Sequence, residues 1–81
     1  MDDISSLSDA ELDALLLAQV KERQQKIAMV IGMAMSGYET WDEERVGQRI
    51  IALVETGKGE SFGDVRKWRF SEIRLPQKQT P

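Results

Sequence analysis

Residues 40–75 decide the fold, and they read TWDEERVGQRIIALVETGKGESFGDVRKWRFSEIRL. Within them, Val46, Ile50, Leu53 and Val54 recur at helical spacing and share one apolar face. Gly57 follows this pattern, and glycine is the residue that most often ends a helix. The pattern predicts an amphipathic helix over residues 42–56.

Two overlapping signals mark the start of this helix. Thr40 and Glu43 have the spacing of a capping box, in which each side chain bonds the other residue's backbone N–H. Alternatively, Asp42 is the N-cap, which places Trp41 and Val46 at the two positions of a hydrophobic staple. The sequence leaves both starts open.

The remainder of the stretch predicts a β-hairpin over residues 60–75. Gly63 and Asp64 form a turn pair. Residues 68–75 are rich in aromatic and β-branched residues that nearly alternate with polar ones, which is typical of a strand. The alternation slips once, so we expect a β-bulge near Ser71.

The N-terminal half predicts helical packing. Ser8 and Glu11 form a capping box ahead of leucines at helical spacing, so a helix begins there. Residues 27–35 are apolar on all sides, and Gly37 is a natural left-handed cap. Residues 21–26 are polar helix formers, so residues 8–36 form one helix or two. A bend near residues 23–25 is favoured, because helices of a compact domain must cover each other.

The apolar helix has two faces with different side chains. Its first face comprises Ile27, Val30, Ile31 and Ala34. Met29 and Met33 lie opposite, while Ala28 and Gly32 form a strip that another helix can approach closely. A helix that is apolar all round is usually buried, so core packing is the plainer interpretation. The alternative is an exposed, adaptable methionine patch for a partner.

Composition excludes several classes of function. The chain of 81 residues has no cysteine and no histidine, which removes disulfides, thiolate metal sites and the usual general base. No glycine-rich phosphate loop or calcium-loop spacing is present. We therefore expect a non-enzymatic protein without cofactor, metal or small-molecule substrate. The apolar runs are too short to span a bilayer, and the cysteine-free composition suits the cytoplasm.

Charge is distributed unevenly along the chain. Residues 1–44 carry three basic and ten acidic residues, a net charge of −7, whereas residues 45–81 carry eight basic and four acidic, a net charge of +4. Such asymmetry can indicate a polyanion-binding surface on the basic half. It can equally reflect an uneven split of charges in a small chain.

Three helices followed by a hairpin is the order of a winged-helix domain, and residues 46–58 resemble the third helix and wing entry of that superfamily. Residues 49–75, with Gly63-Asp64 and the run RFSEIRL at 69–75, resemble a bacterial family of small domains of unknown function that ends in a G-D, R-F-S-E-V-R-L pattern. The similarity extends back to about Leu12. Gly59 departs from the pattern, since a large apolar residue is expected there, which predicts a loosely anchored first wing strand.

The predicted fold is mainly α with a C-terminal β-hairpin, a winged-helix-like three-helix domain with a two-stranded wing. It occupies residues 8–75, between a frayed leader at 1–7 and a flexible tail at 76–81. The family resemblance implies this fold and implies no activity.

Protein–protein interaction is the predicted function, through a partner protein or self-association. The candidate partner-contacting residues are Met29, Met33 and Trp68, although core between hairpin and helix is the plainer interpretation of Trp68. The alternative is a DNA-binding regulator that uses helix 42–56 and the 60–75 wing. Its candidate contacts are Arg45, Gln48, Arg49 and Thr56 on the predicted solvent face of that helix, together with Arg66, Lys67 and Arg69 on the hairpin. Acidic residues at the start of that helix and a pI near 4.9 argue against DNA.

Overall fold

A computed structural model describes residues 3–77. Its three α-helices are α1 (Asp9–Gln19), α2 (Ile27–Ala34) and α3 (Glu43–Glu55). The three strands, β1 (Gln25–Lys26), β2 (Glu60–Phe62) and β3 (Glu72–Arg74), form an antiparallel sheet with β3 in the centre. Two 3₁₀ segments, Ile4–Ser6 and Val65–Phe70, complete the fold. The predicted class, mainly α with a C-terminal hairpin, is confirmed.

The start of α1 follows the capping box predicted from the sequence. The Ser8 hydroxyl accepts a hydrogen bond from the Glu11 N–H, and the Glu11 carboxylate accepts one from the Ser8 N–H. These two bonds satisfy backbone donors that a helix otherwise leaves unpaired at its first turn. Leu12 and Leu16 of α1 are fully buried.

Residues 8–36 form two helices, as the favoured interpretation predicted. The break spans residues 20–26, which bend at Glu22 and Arg23 and run beside the C-terminal strand. The Leu75 N–H donates to the Lys21 carbonyl at 2.7 Å, and Gln25 and Lys26 pair with Ile73 and Glu72. The strand β1 was not predicted.

Of the two predicted starts of α3, the structure uses Asp42. Its carboxylate accepts hydrogen bonds from the N–H groups of Glu44 and Arg45 at 3.0 and 3.3 Å. Trp41, which immediately precedes it, packs against the core, and Val46 is fully buried. Both residues are therefore placed as a hydrophobic staple requires.

The end of α3 is a Schellman motif built on Gly57. Gly57 has φ +81°, the Lys58 N–H donates to the Leu53 carbonyl, and the Gly57 N–H donates to the Val54 carbonyl. Gly37, by contrast, does not adopt a positive φ, so the predicted left-handed cap after α2 is wrong. Residues 35–38 turn through backbone bonds to Ile31, Met33 and Met35 instead.

The predicted strand over residues 68–75 is wrong for its first half. Residues 65–70 form two 3₁₀ turns joined by a kink at Lys67, and only Glu72–Arg74 is a strand. Ser71, 2% exposed, holds these turns because its Oγ donates to the Asp64 carbonyl at 2.5 Å and lies 3.1 Å from the Lys67 carbonyl. No bulge is needed, since Trp68 and Phe70 never belong to the strand.

Gly59 was expected to leave the first wing strand loosely anchored, and this expectation is wrong. A Cβ atom on Gly59 would lie 2.9 Å from Cδ1 of Ile73, so the Ile73 side chain already occupies the space. Ile73 is fully buried, and its backbone pairs with both β1 and β2. It therefore supplies the missing apolar volume from the central strand.

The core joins all three helices, the N-terminal segment and the sheet. Its buried apolar members are Ile4, Leu12, Leu16, Val20, Ile27, Val30, Ile31, Ala34, Met35, Val46, Ile50, Leu53 and Ile73. Because Ile4 belongs to this core, the expectation of a frayed leader at 1–7 is wrong for residues 3–7. The predicted tail at 76–81 lies outside the described residues beyond Gln77.

Candidate interaction surface

Arg45 was predicted to face solvent on α3, but it holds the N-terminal segment onto the helix. Its guanidinium donates to the carbonyls of Ile4 and Leu7, each at 2.8 Å, and to an Oδ1 of Asp9 at 3.1 Å. Its side chain is one-quarter exposed. Three of its N–H donors are thereby used inside the molecule.

Arg49, one turn later, makes a bidentate ion pair with α1. Its Nε and one terminal nitrogen donate to the two carboxylate oxygens of Asp13, both at 2.8 Å, and its other terminal nitrogen lies 3.5 Å from Asp9. The hydrogen bonds to Asp13 raise the pKa of Arg49 above its ordinary value, against the opposing effect of partial burial. The predicted solvent position of Arg45 and Arg49 is therefore wrong.

The surface that α3 does present to solvent is acidic. Glu44, Gln48, Ile51 and Glu55 follow one another at spacings of four, three and four residues, so they form one stripe along the helix. Gln48 is exposed as predicted, and Ile51 is half-buried. The stripe carries two carboxylates and no cation, which repels a phosphate backbone rather than attracting it.

Thr56, the last predicted contact on this helix, is exposed, but its hydroxyl is used locally. Its Oγ1 donates to the Ala52 carbonyl at 2.9 Å and lies 3.3 Å from the Leu53 carbonyl. The side chain thereby satisfies carbonyls at the helix end.

The 65–70 segment carries three exposed cations, Arg66, Lys67 and Arg69. Arg66 and Lys67 are exposed, and among residues 3–77 neither has an ion-pair partner. Arg69 pairs with Glu43 at the start of α3, and its guanidinium lies 4.7 Å from the centre of the Trp68 ring. Phe70 is 87% exposed, the most exposed large apolar side chain among the described residues.

Trp68 points from the 65–70 segment towards α3. It is half-buried against the core, and its ring fits over Gly47, whose absent Cβ would lie 2.8 Å from Trp68 Nε1. The absence of a side chain at Gly47 therefore creates the seat for the indole. This placement fits the core interpretation of Trp68 better than an exposed anchor.

The predicted methionine patch is exposed. Met29 is 49% and Met33 38% exposed, and Ala28 and Gly32, in the neighbouring row of the helix, also face solvent. We call these four residues the methionine face. The opposite side of α2, with Ile27, Val30, Ile31 and Ala34, is buried, so the helix is apolar on its solvent side as well.

Phe70 lies near one end of this face, and the sequence did not single it out. The Ile27 N–H donates to the Ser71 carbonyl at 3.0 Å, which brings residue 70 beside Lys26 and the first turn of α2. The predicted strand placed Phe70 on the same face as Trp68, so the exposure of Phe70 was not expected. Only the 3₁₀ geometry turns the two rings in different directions.

Among residues 3–77, no group of three or more acidic side chains is positioned to hold a metal ion. None of the described helices is long and apolar enough to cross a bilayer.

Comparison with protein-family models, with curated proteins and with solved structures found no match. The resemblance to winged-helix domains and to the bacterial family therefore stays a prediction.

Proposed function

We propose that this protein is a non-enzymatic interaction module that binds another protein through the methionine face of α2. The observation that carries the proposal is an apolar helix face exposed to solvent on an otherwise well-packed domain. Exposed, contiguous apolar surface is typical of interaction sites. Methionine suits such a site because its unbranched, polarisable side chain adapts to a partner's shape.

The charges of α3 further support a protein partner over DNA. Two of its arginines hold the N-terminal segment and α1, and its solvent stripe is acidic. A helix that reads the major groove needs side chains free to reach base edges and phosphates. We also propose a cytoplasmic location, which rests on the absence of cysteine.

A DNA-binding regulator remains the second candidate, and one observation favours it. Arg66 and Lys67 are exposed beside Phe70 on the 65–70 segment, and cations with an adjacent aromatic ring suit nucleic-acid contact. This candidate uses the wing rather than α3 and has few cations to neutralise phosphates.

Affinity capture with matched variants tests the proposed function. The bait is the full chain, as wild type, as the double variant Met29→Glu/Met33→Glu, and as Ala14→Glu, which adds a charge on the exposed side of α1. We expect a specific protein to be retained by wild type and Ala14→Glu and lost by the double variant. Equal capture by all three contradicts an interaction site on the methionine face, as does capture of nothing by a chain that also stays monomeric.

A further inference from the structure

We propose that the methionine face binds a second copy of this chain, with the two α2 helices antiparallel across a two-fold axis. This inference rests on the proposed function and names the partner. In such a dimer the same patch is used by both copies, so it must be complementary to itself. Three features of α2 meet that condition.

The first feature is the absence of charge along the face. Between Lys26 and Glu39 the sequence holds no charged residue. When two such helices pair, no charge is buried without a partner, and the cost of desolvating an ion is avoided. A partner surface of the same kind is therefore tolerated along the whole helix.

The second feature is that the charged residues near the two ends of α2 have opposite signs. Lys26 directly precedes α2 and is exposed, with Glu72 opposite it in the sheet, while Glu39 is exposed five residues beyond the end of α2. The helix dipole has the same sense, positive at the N-terminus and negative at the C-terminus. An antiparallel copy places each positive end beside the other copy's negative end.

The third feature is the shape at the centre of the face. Gly32 is exposed, and a Cβ atom built on it would meet nothing within 4 Å. With Ala28 one turn before it, Gly32 leaves a shallow strip that runs beside the row of Met29 and Met33. Across a two-fold axis, Met29 of one copy lies near Met33 of the other, and their flexible side chains fill the strip.

The size of the face sets the strength of the dimer. The four residues of the methionine face and Phe70 offer less area than a standard stable interface, so we expect weak, concentration-dependent association. The test must therefore cover a range from about 10 µM to about 1 mM, in which weak complexes dissociate.

The experiment combines sedimentation velocity with backbone amide spectra of the full chain across that range. We expect a monomer–dimer equilibrium, with concentration-dependent shifts confined to α2, Lys26, Glu39 and Phe70. Gly32→Glu should weaken the dimer at least about tenfold. It leaves the monomer folded, because the added side chain enters open space. Ala14→Glu, the matched control, should dimerise like wild type.

A charge swap tests the antiparallel arrangement and does not depend on Gly32. Glu39→Lys should weaken the dimer, and the double variant Lys26→Glu/Glu39→Lys should restore it. A parallel arrangement would give no such rescue, because like ends would then meet and the swap would change nothing.

A wild-type chain that stays monomeric at about 1 mM overturns the second-copy proposal. Dimerisation with shifts outside α2, or a Gly32→Glu variant that dimerises normally, overturns it as well. If the chain is monomeric while capture still depends on Met29 and Met33, only the identity of the partner is wrong. If both experiments fail, the interaction site itself is wrong.

Discussion

Gly47 and Gly32 are both helical glycines, but their surroundings differ. A Cβ atom on Gly47 would lie 2.8 Å from Trp68 Nε1, whereas one on Gly32 would meet nothing within 4 Å. Gly47→Ala should destabilise the fold by about 1 kcal/mol, because displacing the indole outweighs the gain in helix propensity. Gly32→Ala should stabilise the monomer by about 0.5–1 kcal/mol.

Urea unfolding at low protein concentration measures both changes, and the fluorescence of Trp68 in a Trp41→Phe background reports displacement of the ring. Effects of the same sign for Gly47→Ala and Gly32→Ala would contradict the packing of Trp68 on Gly47.

Arg49 contributes to stability through its half-buried ion pair with Asp13. Arg49→Ala should lower the free energy of unfolding by about 1–2 kcal/mol, since the carboxylate loses both bidentate bonds. Arg66→Ala, which removes an exposed arginine, should change it by less than about 0.5 kcal/mol. Chemical denaturation of both variants gives the comparison.

The pH dependence of the Arg49 contribution follows from the raised pKa of its guanidinium. A cation whose pKa is higher in the folded state stabilises fully below its unfolded pKa and loses that effect only above it. The difference between wild type and Arg49→Ala should therefore stay constant from neutral to moderately alkaline pH. A difference that shrinks in this range would show that Arg49 is not the group responsible.

At the scale of elements, the structure shows which of two N-caps α3 uses, a choice that the sequence left open. The carboxylate of Asp42 accepts two backbone hydrogen bonds, whereas the Thr40 side chain is exposed. Asp42→Ala should cost about 1 kcal/mol, and Thr40→Ala should cost a few tenths at most. Thermal unfolding by circular dichroism measures both, and a larger loss for Thr40→Ala would contradict the assignment.

Elements whose signal is local were predictable. The Ser8–Glu11 box, the 3.6-residue pattern of α3 and the stop at Gly57 each depend on residues within a few positions of one another. The strand β1 was not predictable, because Gln25 and Lys26 have no strand pattern and become a strand only by pairing with β3. The 65–70 segment alternates like a strand, but the Asp64 cap and the buried Ser71 hydroxyl hold it in turns.

The candidate site was predictable only where its signal is local. Helical periodicity placed Met29 and Met33 together, but their exposure depends on which side of α2 the other helices cover. The pairing of Arg45 and Arg49 with residues some 36 positions earlier is a tertiary contact. No local pattern distinguishes such an arginine from one that faces solvent.

At the scale of the whole molecule, residues 3–7 are part of the core. Ile4 is 1% exposed, and Arg45 holds the carbonyls on either side of this turn. Ile4→Ala should destabilise the protein by about 2–4 kcal/mol, as expected for a fully buried isoleucine. Urea unfolding measures the loss, with exposed Ser5→Ala as the control. A change below about 0.5 kcal/mol would restore the interpretation of a frayed leader.

The central claim is that this domain binds protein through the methionine face of α2 and does not bind DNA through α3. The most direct test is a titration of the labelled full chain with a generic DNA duplex at low and moderate salt, followed by backbone amide shifts. We predict no shifts along Glu44, Gln48, Ile51 and Glu55 at either salt concentration. Saturable shifts along that stripe that weaken steeply with salt would contradict the account.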